Sequence, residues 1–138
     1  MDDNYKIVKD DSKNLEKKIF LKLNSNELIN LLSKKSNSHI IIKFGATWCV
    51  PCKRIEDTLN DLFLQMPDNV LCYELDVDDN MELFGKLKTK KMIRTIPSIL
   101  YYNCNIERDY WYLSNLSISD SNPSNVINFF REICKNFN

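Results

Sequence analysis

Apolar residues occur along this chain either in short continuous runs or at helical spacing, and the two patterns alternate. Short apolar runs predict β-strands at residues 19–23, 39–44, 70–77, 98–102 and 106–113. Apolar stripes at helical spacing predict helices at residues 25–35, at 50–66, from about 80 and from 123 onward. This order predicts an α/β fold, with a mixed central sheet of four to five strands and about four helices on its two faces.

Polar residues at the predicted boundaries support this division. Asn24 or Ser25 can cap the first helix, because their side-chain oxygens accept a hydrogen bond from a free N–H of the first turn. Asn122 followed by Pro123 is typical of a helix start. Residues 103–105 predict a tight turn that joins the last two strands as a hairpin.

Composition narrows the class of protein. Residues 1–17 are polar and charged, which predicts a mobile or loosely docked extension before a single domain at 18–138. The formal net charge is zero, so no nucleic acid or membrane partner is expected. The chain contains no run of about 18 apolar residues, so no transmembrane helix is predicted. Its N-terminus is polar and does not resemble a signal peptide. Five cysteines are an odd number, which favours the reducing cytoplasm over a disulfide framework.

The strongest chemical pattern is Trp-Cys-Val-Pro-Cys-Lys at residues 48–53, between a predicted strand and a predicted helix. Two thiols separated by two residues at a helix start can close a small disulfide ring. The helix N-terminus also stabilises the thiolate of the first thiol, Cys49. Cys52 falls on the apolar stripe of the helix. We therefore expect Cys52 to face inward and Cys49 to lie at an exposed tip.

The alternative for two cysteines at this spacing is half of a zinc site, which needs a second pair of thiols or imidazoles. The other cysteines are single and widely separated, and only one histidine is present: Cys72, Cys104, Cys134 and His39. Dithiol–disulfide exchange is therefore favoured over zinc binding, and no metal or other cofactor is expected beyond the redox-active disulfide itself.

Three segments, at residues 44–53, 74–78 and 93–98, together resemble the thioredoxin family. The resemblance covers residues from about 19 to 137, in the order of the family and at close to its spacing. It implies the thioredoxin fold and a cis peptide bond between Ile96 and Pro97 that faces the two cysteines.

The same resemblance implies the roles of individual residues. Cys49 would be the nucleophile and Cys52 the resolving thiol. The backbone of Ile96, before Pro97, would pair with the substrate peptide like an added strand. Trp48 would belong to an apolar rim around the exposed sulfur. With these residues, Val50 and Pro51 complete the expected substrate-binding set.

Two positions in this region depart from the family pattern. Val50 stands where thioredoxins usually have glycine, and Lys43 stands where they usually bury an aspartate beneath the second cysteine. A charged Lys43 near that thiol would favour the thiolate and make the pair more oxidising. The alternative is that the stem of Lys43 packs in the core while its ammonium group reaches solvent.

The remaining cysteines and a basic run have simpler interpretations. Cys104 falls in the predicted hairpin turn, where we expect it to be exposed. Cys72 and Cys134 lie on core-facing stretches and are expected to be inert. The basic run at residues 86–94 is either a solvated helix end or a docking patch for an acidic partner.

These observations predict a protein thiol–disulfide oxidoreductase that reduces substrate disulfides through Cys49 and Cys52. The alternatives are an oxidase or isomerase acting on assembling proteins, and a non-catalytic interaction module of the same fold. The expected partners are protein disulfides and a thioredoxin reductase or another dithiol donor.

Overall fold

A mixed sheet organises residues 4–137, which are the residues that the computed structural model describes. Its strands are β1 (Tyr5–Asp10), β2 (Leu15–Phe20), β3 (His39–Gly45), β4 (Val70–Asp76), β5 (Ser98–Asn103) and β6 (Leu116–Ile118). Their order across the sheet is β1-β2-β4-β3-β5-β6. The pairs β2–β4 and β4–β3 are parallel, and the other neighbours are antiparallel. The predicted α/β fold is confirmed, with six described strands instead of four to five.

The described part of the chain contains five α-helices instead of about four. They are α1 (Ser25–Ser33), α2 (Val50–Arg54), α3 (Glu56–Leu64), α4 (Met81–Thr89) and α5 (Pro123–Cys134). The extra helix arises because the predicted helix at 50–66 breaks at Ile55, whose backbone leaves the helical region (φ −108°, ψ 3°). The side chain of Ile55 is fully buried at this break. Helix α2 is therefore a short element of its own, which presents the two cysteines.

Two predicted helix starts are confirmed by their capping hydrogen bonds. Asn24 caps α1 by accepting a hydrogen bond from the backbone N–H of Glu27, at 2.8 Å. The carboxylate of Glu27 accepts one in return from the backbone N–H of Asn24. Asn122 caps α5 by accepting a hydrogen bond from the backbone N–H of Ser124, at 2.9 Å, with Pro123 in the first turn. These caps satisfy N–H groups that a helix leaves free at its start.

Apolar cores cover both faces of the sheet. On one face α3 and α5 pack their apolar side chains against the strands: Leu59, Phe63, Phe130 and Ile133. On the other face α1 and α4 contribute Leu28, Leu83 and Leu87. All seven residues of β3 are buried, which is typical of a central strand covered on both faces. Its side chains alternate between the two cores, with Ile41 in the first and Ile40 in the second.

The N-terminal region is paired with the sheet from Tyr5, whereas the sequence predicted an extension up to residue 17. Strands β1 and β2 form an antiparallel hairpin, and the strand predicted at 19–23 instead runs from Leu15 to Phe20. The apolar pattern of this segment is weak because an edge hairpin buries few side chains. Val8 of β1 packs against the first core and is only partly buried. Residues 1–3 of the predicted extension lie outside the described residues, and the division at residue 18 stays a prediction.

The predicted hairpin between 98–102 and 106–113 is wrong in its second strand. Strand β5 pairs instead with β6, and residues 104–115 form a loop. The guanidinium group of Arg108 donates hydrogen bonds to the carbonyl oxygens of Asn103, at 2.8 Å, and Leu113. It also lies 5.4 Å from the ring centre of Tyr102. Arg108 thus provides donors for one carbonyl group at the end of β5 and one within the loop, which supports an apolar and aromatic stretch outside the sheet.

Candidate active site

Cys49 and Cys52 form a disulfide at the start of α2, with their Cα atoms 5.3 Å apart. Cys49 is the N-cap residue in an extended conformation, and Pro51 occupies the first turn, where a missing N–H costs no helical hydrogen bond. The Sγ atom of Cys49 accepts a hydrogen bond from the backbone N–H of Cys52, at 3.2 Å. Local sequence therefore places a sulfur atom where a helix N–H stabilises negative charge.

Burial at this disulfide differs from the prediction for one of the two thiols. Cys52 is 3% exposed and faces inward as predicted, but Cys49 is only 5% exposed instead of lying at an open tip. Its neighbours Trp48 and Val50 carry the exposed surface, at 64% and 61%. The disulfide is thus bordered by two exposed apolar side chains that flank the first cysteine.

The loop that carries Trp48 is held to the end of β4 by carboxylates. The indole N–H of Trp48 donates to Asp78, at 2.9 Å, and the backbone N–H of Thr47 donates to Asp76, at 3.1 Å. Asp76 also accepts from the backbone N–H of Asp78, at 2.8 Å. Sequence reasoning assigned no such function to these two aspartates. The signal was their position at the carboxyl end of a strand that neighbours β3, where connecting loops meet.

The predicted cis peptide bond between Ile96 and Pro97 is present. Ile96 is half-buried and Pro97 is buried, immediately before β5. Because β5 pairs antiparallel with β3, Ser98 lies opposite Phe44, close to the end of β3 that leads to Cys49. The topology therefore brings residues 96–97 to the same end of the sheet as the disulfide.

Lys43 lies on the central strand β3, and its side chain is buried, with only 6% of the residue exposed. Its ammonium group is 3.6 Å from a carboxylate oxygen of Glu74, its direct partner on β4. The ammonium group is therefore paired with a carboxylate, and the Lys43 side chain is 8% exposed, whereas the alternative drawn from the sequence placed the ammonium group in solvent. Lys43, Cys52 and Glu74 line one cavity of about 560 Å³. Glu74 is a further residue that sequence reasoning did not assign to the site, because only the strand register reveals the pair.

The other cysteines lie apart from this disulfide. Burial raises the pKa of Cys72 to about 12. Cys104 is buried, contrary to prediction, because its backbone N–H donates to Ser38 and folds the turn inward. Cys134 is exposed, also contrary to prediction, since the inward stripe of α5 passes through Ile133 beside it. Burial raises the pKa of both thiols, so neither is strongly ionised at neutral pH.

Two further properties concern residues 4–137 only. Within that range, no three or more His, Cys, Asp and Glu side chains are grouped as metal ligands. None of its helices has the length and apolar character needed to cross a bilayer.

In the basic run, Lys88, Lys90, Lys91 and Arg94 are exposed, and Lys86 binds Ser25 and Glu82.

Comparison with known proteins places these features in a family context. Residues 19–111 match the family model described as Thioredoxin. Thioredoxin 3 of Plasmodium falciparum (isolate 3D7) is 30% identical over 125 residues, which cover 89% of this chain and 64% of that protein. The thioredoxin of Bacillus subtilis (strain 168) is 34% identical over 68 residues, covering 49% and 62%. The chain spans less than two thirds of the length of these curated relatives.

Solved structures share the fold at lower identity. A crystal structure of a Plasmodium falciparum thioredoxin superposes with a TM-score of 0.63 at 21% identity, covering 95% of this chain and 96% of that one. The germline-specific thioredoxin Deadhead of Drosophila melanogaster gives 0.61 at 20% identity, covering 83% and 99%. These similarities support the fold of the chain.

Proposed function

The chain belongs to the thioredoxin family, and from this premise we propose that it is a protein thiol–disulfide oxidoreductase that reduces substrate disulfides. The observation that carries the proposal is the Cys49–Cys52 disulfide at the start of α2, bordered by exposed apolar side chains. A non-catalytic interaction module would have no need of this pair. The disulfide is the oxidised form of the proposed catalyst.

In the reaction, the thiolate of Cys49 attacks one sulfur of a substrate disulfide. A mixed disulfide forms, and the other substrate sulfur leaves as a thiolate that takes a proton from solvent. Cys52 then loses its proton and attacks the Sγ atom of Cys49, which releases the second substrate thiol. The substrate gains two electrons, and the enzyme ends with the Cys49–Cys52 disulfide. A dithiol donor returns two electrons to the enzyme.

Several features support this division of labour between the thiols. Cys49 is the N-cap residue, and its sulfur accepts the N–H of Cys52. This hydrogen bond favours the thiolate at Cys49 and therefore nucleophilic attack. Cys52 lies one helical turn inside, facing the cavity with Lys43. It is positioned to attack Cys49 and not an approaching protein.

The proposed substrate-binding surface comprises Trp48, Val50 and Pro51 around the disulfide, and Ile96 with Pro97 at the start of β5. The exposure of Trp48 and Val50 supports apolar contacts with a polypeptide. The backbone of Ile96 would pair with an extended substrate segment.

The proposed partners are protein disulfides and a thioredoxin reductase or another dithiol donor, so the chain would act in electron transport. We place it in the reducing cytoplasm. Three free thiols, at Cys72, Cys104 and Cys134, support this placement, because unpaired cysteines persist where thiols are kept reduced.

The direct test is reduction of insulin disulfides with dithiothreitol as the electron donor. The wild-type chain should accelerate the reaction, and Cys49→Ser should reduce it to the uncatalysed rate. Cys52→Ser should accumulate a mixed disulfide with insulin, detectable by mass spectrometry. Cys134→Ser is the matched control, since this exposed thiol lies outside the site, and its rate should equal wild type. Normal turnover by Cys52→Ser would refute the assigned roles.

An oxidase or isomerase is the second candidate, and the position of Lys43 favours it. A positive charge near Cys52 stabilises the thiolate and hence the reduced protein, which makes the disulfide more oxidising. The reduction potential separates the two functions. A reduction potential of about −270 mV is expected of a reductase, whereas a potential above about −200 mV would indicate an oxidant.

A further inference from the structure

Three charged side chains on one face of the sheet form a chain that begins beneath Cys52. Lys43 on β3 and Glu74 on β4 are direct partners in the parallel register. One carboxylate oxygen of Glu74 lies 3.6 Å from the ammonium nitrogen of Lys43, and the other is in an ion pair with Lys6 on β1. Side-chain exposure rises along the chain, from 8% at Lys43 to 16% at Glu74 and 32% at Lys6. The charges therefore lead from the site to the surface.

The absence of a side chain at Gly45 lets the ammonium group of Lys43 approach the disulfide. A Cβ atom at Gly45 would lie 2.8 Å from Nζ of Lys43 and 3.3 Å from Sγ of Cys52. The nitrogen and the sulfur are therefore no farther apart than the sum of these two distances. Because Lys43 and Cys52 are both largely buried, a full charge at that separation acts measurably on the ionisation of the thiol.

We propose that the carboxylate of Glu74 partly offsets the charge of Lys43 beneath Cys52, and that Lys6 in turn partly offsets the charge of Glu74. The reduction potential of the Cys49–Cys52 pair is then set by three charges of alternating sign. Strand β1, at the edge of the sheet, becomes part of the redox site through Lys6. This inference rests on the proposed function, because it concerns the energetics of the same dithiol–disulfide couple.

The direction of each effect follows from the reaction. Reduction adds two electrons to the disulfide and produces two sulfurs, which take up protons or remain thiolates. A positive charge beside Cys52 stabilises its thiolate and so favours the reduced protein. The carboxylate of Glu74 weakens that effect, and Lys6 weakens the effect of Glu74. Removing the three charges one at a time should therefore shift the equilibrium in alternating directions.

Other charged groups share the cavity and contribute a background that the variants leave unchanged. They lie on the loop after β2, on α2, on α3, at the end of β4 and in the turn that follows it: Lys22, Lys53, Glu56, Asp76 and Asp79. Lys22 donates to the backbone carbonyl of Asp79, and Asp76 accepts from Thr47 and Asp78. Lys43 and Glu74 are the pair formed directly across neighbouring strands beside Cys52.

The experiment equilibrates the full chain with reduced and oxidised glutathione at pH 7.0 and measures the reduced fraction by alkylation. Lys43→Met should shift the equilibrium about fivefold toward the disulfide. Glu74→Gln should shift it about threefold toward the dithiol, and Lys6→Met about twofold toward the disulfide. Lys9→Met is the matched control: Lys9 is on the same strand, paired with Glu16 at the surface, and should leave the equilibrium unchanged.

Shifts of the same sign for Lys43→Met and Glu74→Gln would overturn the inference, because a purely structural pair predicts no alternation. Lys6→Met keeps the test decisive if Glu74→Gln does not fold, since Lys6 is the most exposed of the three side chains. No difference between Lys6→Met and Lys9→Met would then refute it. A wild-type chain that does not exchange with glutathione would refute the proposed function as well. Normal wild-type exchange with unshifted variants would refute only the inference.

Discussion

Strand β3 has a buried basic residue toward each end, and the two are accommodated differently. At the amino end, His39 is 2% exposed, and its Nδ1 atom lies 2.7 Å from the hydroxyl oxygen of Tyr101. Its ring also contacts Phe137, with ring centres 4.6 Å apart. Burial lowers the pKa of His39, so the imidazole is neutral at pH 7. At the other end, Lys43 carries its charge into the core and is paired with Glu74.

The difference shows which end can support chemistry. A neutral imidazole needs only a hydrogen-bonding partner, and Tyr101 provides it within an aromatic cluster. A buried ammonium group needs a counter-charge, which ties Lys43 to Glu74 and leaves a field that acts on the neighbouring sulfur. We therefore expect changes at His39 to affect stability alone and changes at Lys43 to affect both stability and redox equilibrium.

The largest effect on stability is expected from breaking the charged pair. Glu74→Gln leaves Lys43 without its counter-charge and should lower the free energy of unfolding by about 3 kcal/mol. The double variant Lys43→Met/Glu74→Gln should recover most of that loss, because no unpaired buried charge remains. Urea unfolding of the two single variants and the double variant measures the coupling. A double variant no more stable than Glu74→Gln would show that the charge is not the cause.

A smaller loss is expected at the neutral end. Tyr101→Phe removes the hydroxyl partner of His39 and should cost about 1–3 kcal/mol. The reduction potential should not change, since the hydroxyl lies at the opposite end of β3 from the disulfide. Urea unfolding and the glutathione equilibrium, measured on one sample, test both statements. A shifted potential would contradict the separation of the two ends.

Titration of His39 should make a smaller contribution, which appears as a change in the free energy of unfolding with pH. Since burial holds the folded-state pKa of His39 below its ordinary value of about 6.5, the unfolded chain binds the proton first as pH falls. Stability should be fully present above about pH 6.5 and decrease as pH falls toward the folded-state pKa. His39→Gln should flatten this slope between pH 7.5 and 5.5. The lowered carboxyl pKa values of Glu82 and Asp10 act at more acidic pH and do not interfere.

The smallest expected effect comes from moving a charge without removing it. In Gly45→Ala, the new methyl group would displace the flexible end of Lys43 away from Cys52. The glutathione equilibrium should shift toward the disulfide by about twofold, which is less than for Lys43→Met. The free energy of unfolding should change by less than about 1 kcal/mol. A shift toward the dithiol would mean that the ammonium group moves closer to the thiol.

Local patterns predicted the parts of the fold that are determined locally. The mostly apolar run of β3, the caps at Asn24 and Asn122 and the cysteine pair at a helix start are each visible within a few residues of sequence. The family resemblance supplied the cis bond before Pro97, which composition and spacing do not reveal.

The features that were missed depend on partners distant in sequence. Strand β1 is charged on an edge that buries few side chains, so its apolar alternation is weak. In the loop at 104–115, Arg108 bonds the carbonyl groups of Asn103 and Leu113, a contact that no propensity scale represents. The pairing of Lys43 with Glu74 requires the register of β3 and β4. The burial of Cys104 likewise requires its contact with Ser38.

The two buried free thiols divide between the two cores. Cys72 belongs to the core beneath α3 and α5, and Cys104 to the core beneath α1 and α4. An alkylating reagent reaches either sulfur only when its face of the sheet opens. The rate of labelling at each cysteine therefore measures how often that face of the sheet opens locally. Mass spectrometry can follow this rate without any introduced probe. Equal rates would mean that both layers separate in one cooperative event, whereas unequal rates would rank the layers by their opening free energy.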